Sequence, residues 1–259
     1  MAGPLFGGVC PAVISGQKIL QKGTIVAGLT RRTDVHVVPD LSDPSVDYGE
    51  VIDRLIPRSK NGQTMFVFVD GYSQRISSLM EGLFDIFGLE VNYIGGGAGS
   101  IHPSALDMEK TLCLLTNKGL IKDSALVVTV DMPSGVGVSH GWYKLSGPYK
   151  VTESEGTAIK TLDWKPAFDV YREVVEKHSG DTIRKDNFFD IAKSYPFGIT
   201  RIQSEIIVRD PFTVNDENSL IVATEIPGES FVDILTGDPD SMIRAARSAS
   251  ESSVAAFQG

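Results

Sequence analysis

The alternation of apolar and polar positions defines one unit of this chain clearly. Thr64-Met65-Phe66-Val67-Phe68-Val69 is a continuous apolar run, as in a strand buried on both faces, and it closes at Asp70-Gly71. Ile76, Leu79, Met80, Leu83, Phe84 and Phe87 then recur at helical spacing and predict a wide apolar helix face. Ser73 is the expected N-cap and Gly88 suits the position after the last turn. Val91 to Ile94 reads as a second strand. If the two strands pair in parallel, the segment is a β-α-β crossover. Asp70 to Ser73 and Gly95 to Ser100 then share the carboxyl edge, where open α/β sheets place ligands. An antiparallel arrangement with an intervening strand is the competing reading.

The rest of the chain alternates short strands with fewer helices. Ahead of this unit, strands are expected at 9–15, 24–29 and 35–39. Tyr48, Val51, Ile52, Leu55 and Ile56 fall at helical spacing and stop at Pro57. Thr111 to Thr116, the turn Asn117-Lys118-Gly119 and Ser124 to Val130 read as a hairpin, followed by a loop at Asp131 to Gly135. Strands are expected at 138–144, 149–152 and 157–162. A helix from Pro166 carries Ala167, Phe168, Tyr171, Val174 and Val175, and a shorter one spans 188–195. Strands at 205–209, 219–225 and 231–235 precede a last helix opened by Asp238-Pro239, carrying Met242, Ile243, Ala246 and Ala249. This order predicts an α+β fold: two lobes of mixed, largely antiparallel sheet packed with helices, meeting around Glu153 to Asp163. A ligand cleft is expected between the lobes or at strand ends.

Four glycines in five positions follow the strand at Tyr93-Ile94. Glycine costs backbone entropy, so a cluster implies unusual dihedrals or something lying against the main chain. Successive N–H groups of Gly95, Gly96 and Gly97 can hold a carboxylate or phosphate; a tight turn with close strand packing explains the same glycines without a ligand. The spacing is neither G-x-G-x-x-G nor G-x-x-x-x-G-K-[ST], so a nucleotide loop is not indicated. Gly71-Tyr72-Ser73-Gln74-Arg75 has Arg75 where a nucleophile elbow needs glycine.

Charge and composition narrow the partners. The formal net charge of -9 argues against nucleic acid, and no apolar run reaches the length of a membrane span. Cys10 and Cys113 form no C-x-x-C pair and read as two buried thiols in a reducing cytoplasm. Of the four histidines, His36 and His178 read as structural or exposed. His102 follows the glycine run and leans over the proposed pocket; His140 lies in Ser139-His140-Gly141-Trp142, where an imidazole beside an indole lines a pocket or fills an interface. Arg209 ends a strand and suits a ligand carboxylate, or a neighbouring acid. Asp70 and Asp131 each close a strand; they exchange protons with a substrate or cap turns.

Phe66-Val67-Phe68-Val69-Asp70-Gly71, Ile94-Gly95-Gly96-Gly97-Ala98, Ser139-His140-Gly141-Trp142, Tyr195-Pro196-Phe197-Gly198 and Pro227-Gly228-Glu229 recur in this order in a known family. Over nearly its whole length the chain resembles the FIST family, the F-box and intracellular signal transduction domains. The resemblance implies an N-terminal region at 1–160 and a C-terminal region at 161–259. It implies a cytoplasmic sensor of a small ligand, an amino acid or other small carboxylate, with no enzymatic activity established as a family property. A signalling partner such as a histidine kinase or cyclase, and a homodimer, are the implied protein contacts. Some members resemble haem-binding nitric oxide sensors, which would make His102 or His140 an axial ligand; an enzyme using Asp70 or Asp131 is a further alternative. Against the family pattern, the opening of the first region and the last strand of the second are expected to be missing. The expected ligand set is Asp70, Gly95, Gly96, Gly97, His102, His140, Trp142 and Arg209, with no metal and no resident cofactor.

Overall fold

A computed structural model describes residues 3–58, 63–99, 112–199, 206–222, 226 and 228–258. The fold is α+β, in two compact units: Met1–Gly137 with Ser252–Gly259, and Val138–Glu251.

The first unit contains β1 (Phe6–Gly8), β2 (Val13–Ser15), β3 (Lys18–Leu20), β4 (Thr33–Val38), α1 (Tyr48–Leu55), β5 (Gln63–Asp70), α2 (Ile76–Phe87), β6 (Val91–Ala98), β7 (Leu114–Thr116), β8 (Gly119–Ile121) and β9 (Ala125–Val130). Its main sheet has the order β4-β9-β5-β6, and β5 and β6 are parallel. Alternation along β5 explains the two-sided burial. Met65, Val67 and Val69 join Leu79, Leu83 and Phe87 of α2 and Tyr48 and Ile52 of α1 on one face. Phe66 and Phe68 turn to the other face, with Phe6, Leu114 and Ile121 of the small β1-β7-β8 sheet.

Several expectations are corrected here. Thr24 to Leu29 forms no strand: it is apolar and β-prone but has no neighbour to pair with among the described residues. The turn at Asn117-Lys118-Gly119 is real, yet its return strand is β8; β9 joins the main sheet between β4 and β5. Ser73 caps no helix. Arg75 is the N-cap of α2, with no side-chain cap bond, and the Ser73 hydroxyl donates to Asp123. Phe84, placed by its spacing on the buried face of α2, is 52% exposed.

The second unit contains β10 (Tyr143–Glu155), β11 (Ala158–Leu162), β12 (Lys165–Pro166), α3 (Ala167–Ser179), α4 (Phe188–Ala192), β13 (Phe197–Ile199), β14 (Ile207–Arg209), β15 (Pro211–Val214), β16 (Leu220–Val222), β17 (Phe231–Thr236) and α5 (Pro239–Gln258). The sheet runs β14-β13-β17-β10-β11-β16-β15, all antiparallel, with β12 beside β11. One long strand, β10, replaces the two expected pieces and joins both halves, pairing with β17 early and β11 late. Because β10 and β11 bond to β17 and β16, the compact unit begins at Val138, ahead of residue 161. Tyr171, Phe188 and Phe197 fill the core between α3, α4 and the sheet. The buried Tyr171 hydroxyl donates to the Tyr195 carbonyl at 2.8 Å, which satisfies its one polar group.

Candidate functional site

The carboxyl ends of β5 and β6 lie side by side, Asp70 opposite Ala98. The backbone turns sharply at this edge. Gly71 N–H donates to the Ala98 carbonyl at 2.9 Å, and a Cβ on Gly71 would sit 3.1 Å from that oxygen. Asp70 is 5% exposed. Its two carboxylate oxygens accept from Tyr72 N–H at 3.1 Å and Asp123 N–H at 2.7 Å. It therefore ties the turn after β5 to the turn before β9. The Cys113 thiol beside it is pushed up to about 12, by burial first and by the Asp70 carboxylate second. A thiol held that high stays protonated and unreactive.

A second carboxylate, unforeseen from the sequence, holds the next turn. Asp123 has φ 43, a left-handed conformation that aspartate tolerates better than most residues. Its Oδ1 accepts from Ser42 Oγ at 2.6 Å and Ser73 Oγ at 2.9 Å, and its carbonyl accepts from Leu41 N–H at 2.9 Å. Ser42 Oγ accepts in turn from Gln74 N–H at 3.1 Å. Arg75 donates to the carbonyls of Asp43 and Val46 and lies 4.8 Å from the centre of the Tyr48 ring. Three turns are thus linked along one edge by polar side chains. The signal in the sequence was a short polar turn, Lys122-Asp123-Ser124, against a buried strand.

The glycine run is not a bend after the strand; it is the strand. Gly95, Gly96 and Gly97 continue the parallel ladder opposite Val67, Phe68 and Val69. β6 ends the sheet, and all three glycines are exposed. On the side away from β5 their backbone groups have no ladder partner among the described residues. The glycines are required for different reasons. A Cβ on Gly95 would fall 1.8 Å from the Val67 carbonyl oxygen, so close approach to β5 demands glycine there. On Gly97 it would meet Gly71 Cα at 3.3 Å, and Gly99 has φ +149 with the Tyr72 ring 2.9 Å from its Cβ position. At Gly96 a Cβ would meet no described atom within 4 Å. Packing explains three of these glycines and leaves Gly96 unexplained.

The remaining expected ligands are His102, His140, Trp142 and Arg209. His102 lies outside the described residues. In the second unit, His140 Nδ1 accepts from Trp142 N–H at 3.0 Å, a local bond across Gly141. The Trp142 ring packs where Gly237 leaves room: a Cβ there would sit 3.0 Å from the indole. Arg209 is on β14, three strands from β10 and so roughly 14 Å across the sheet. Its Nη1 donates to the Val208 carbonyl at 3.1 Å. Burial pushes the adjacent Asp210 carboxyl up, with the Arg209 charge pulling the other way. In the first unit Asp70 and the glycines are brought together; in the second His140 and Trp142 are, with Arg209 on a strand three places from β10. Asp131 follows β9, which is antiparallel to β5. It lies at the opposite end of the sheet from Asp70, roughly 20 Å away along the strands. Among the described residues no group of three His, Cys, Asp or Glu is placed to hold a metal ion, and no helix is long and apolar enough to cross a membrane.

The sequence pattern of the FIST N domain matches residues 2–165, and that of the FIST C domain matches residues 167–258. FIST domains are in general sensors of signal transduction. The chain belongs to the FIST family. No curated protein and no solved structure matches it.

Proposed function

We propose that this chain senses a free amino acid or a similar small carboxylate, held at the open edge of β6 by the main chain of Gly95 to Gly97. The observation that carries this reading is Gly96: exposed, in a regular ladder, and glycine for no packing reason among the described atoms. A bare strand edge offers alternating N–H donors and C=O acceptors. That pattern suits a zwitterion, with the carboxylate on N–H and the ammonium on C=O. It also suits the charge of the chain. At -9 the protein repels anions at long range, but salt screens that repulsion beyond roughly 8 Å. A ligand of zero net charge avoids it altogether.

In this reading Asp70 acts through the turn it holds, because both its oxygens already accept backbone bonds. The distance between Asp70 and Asp131 favours binding over proton exchange at one substrate. Ligand at the edge stabilises one arrangement of the stitched turns, and the difference in affinity between arrangements is the signal. The receiver is a cytoplasmic signalling protein such as a histidine kinase or cyclase.

Thermal unfolding against a panel of amino acids and simple carboxylates tests this. A ligand at a hundred times its Kd adds about 2.7 kcal/mol to stability, a readily measured rise in midpoint. Gly96→Val should fold, because a Cβ there would meet no described atom within 4 Å, and should lose the response. A folded protein with a flat response across the panel, or an equal response in Gly96→Val, contradicts the proposal.

A further inference from the structure

Residues two apart along a strand share a face. Ala98 belongs to the cluster that includes Phe6, Phe66 and Phe68, so Ile94 and Gly96 front the same side of β6. The register sets Ile94 beside Phe66 and Gly96 beside Phe68. Along β6 this side therefore presents Ile94, then a position with no side chain, then Ala98. The next residue inward from that gap is Phe68.

Phe68 is only partly buried, although β5 has a strand on either side, β9 and β6. Val67 and Val69, on the other face of the same strand, are each 5% exposed. The contrast has a local cause. The valines lie under side chains of α1 and α2, whereas the neighbour of Phe68 on β6 is a glycine. A Cβ on Gly96 would meet no described atom within 4 Å. Phe6, Phe66 and Ile94 are partly exposed as well, and the Phe6 ring centre lies 6.0 Å from that of Phe68 and 6.1 Å from that of Phe66. The opposite side of the glycine run has no such room: a Cβ on Gly95 would strike the Val67 carbonyl, and one on Gly97 would crowd Gly71.

A glycine in a sheet favours an aromatic ring on the adjacent strand, because the ring can lie over the gap. A ligand held by the outer edge of β6 occupies the place of that adjacent strand. It lies roughly 4.8 Å from Gly96, with Phe68 one further spacing inward. A methyl or hydroxymethyl side chain ends short of Phe68. An aromatic side chain extends over Gly96, and two rings attract each other with centroids up to about 7 Å apart.

We propose that the amino acid sensed by this chain is aromatic, with its ring over Gly96 and against Phe68, between Ile94 and Ala98. The proposal rests on the amino-acid reading of the β6 edge and makes Phe68 its specificity-determining residue.

Calorimetric titration of the full chain with phenylalanine, leucine and alanine tests this, in the wild type and in Phe68→Leu. The wild type should bind phenylalanine at least about tenfold more tightly than alanine, with leucine between them. Phe68→Leu keeps an apolar side chain at a partly exposed position and should fold, which circular dichroism checks. It should lower the preference for phenylalanine over alanine by about three- to tenfold and leave alanine binding unchanged. Equal affinity for phenylalanine and alanine, leucine bound as tightly as phenylalanine, or a Phe68→Leu protein with its preference intact overturns the aromatic assignment and leaves the amino-acid reading standing. Binding of none of the three overturns both. The wild-type ratios decide alone if Phe68→Leu does not fold.

Discussion

In the second unit, Phe168, Tyr171, Phe188 and Phe197 form a chain of aromatic contacts with ring centroids 5.5 to 6.0 Å apart, and the one hydroxyl among them is satisfied. In the first unit, the last strand of the sheet has three exposed residues without side chains, and a hairpin leaves its isoleucines in the open. Both units have buried cores of their own. They differ in what remains uncovered. The second unit's core is closed by aromatic packing, whereas the first unit has an edge strand of glycines beside turns fixed by Asp70 and Asp123, and the proposed ligand site rests on that difference.

Substitutions can break this contrast. Phe188→Ala should cost the most, about 3–5 kcal/mol, because a fully buried ring leaves a cavity. Chemical denaturation measures it, and a loss below 1 kcal/mol would show the second core to be loose. Gly95→Ala should cost about 3 kcal/mol, since its methyl carbon would overlap the Val67 carbonyl and force the strands apart. One residue further, Gly96→Val should do the reverse, adding about 0.5–1 kcal/mol through lower chain entropy and better strand propensity. If Gly95→Ala and Gly96→Val behave alike in denaturation, the distinction between packing glycine and presenting glycine fails.

The smallest effect is a pH dependence at β4. Burial holds the His36 imidazole below its ordinary value, while the Asp34 charge and a backbone bond to Leu55 pull it up. The unfolded chain therefore takes the proton first. The contribution of His36 is fully present above pH about 6.5 and is lost as pH falls through the lowered folded value. His36→Gln should flatten the decline in stability below pH 6.5. An unchanged slope removes His36 from the account.

The sequence was legible where side chains carry the pattern. β5 and α2 stand within a residue of where their apolar spacing puts them, and the parallel partner of β5 was expected. It failed where side chains are absent or partners are remote. β6 seemed to stop at Ile94 because glycines have no alternation to read, and only the register with Val67 to Val69 reveals the strand. Ala125 to Val130 is buried along nearly its whole length, which marks a central strand, but its proximity to the Asn117-Lys118-Gly119 turn suggested a hairpin. Thr24 to Leu29 has strand composition with nothing to pair against among the described residues. At the candidate site, Asp70 and the glycines were visible as strand endings, while Asp123 and Ser42 become neighbours only through the sheet.

The most direct test is a nitrogen-15 spectrum of protein labelled at its 26 glycines, recorded during titration with the amino acid that most raises the unfolding midpoint. The account predicts saturable shifts concentrated at Gly95, Gly96 and Gly97. Saturable binding that leaves those three unmoved, with shifts instead at Gly141 and Gly237 beside Trp142, would contradict it.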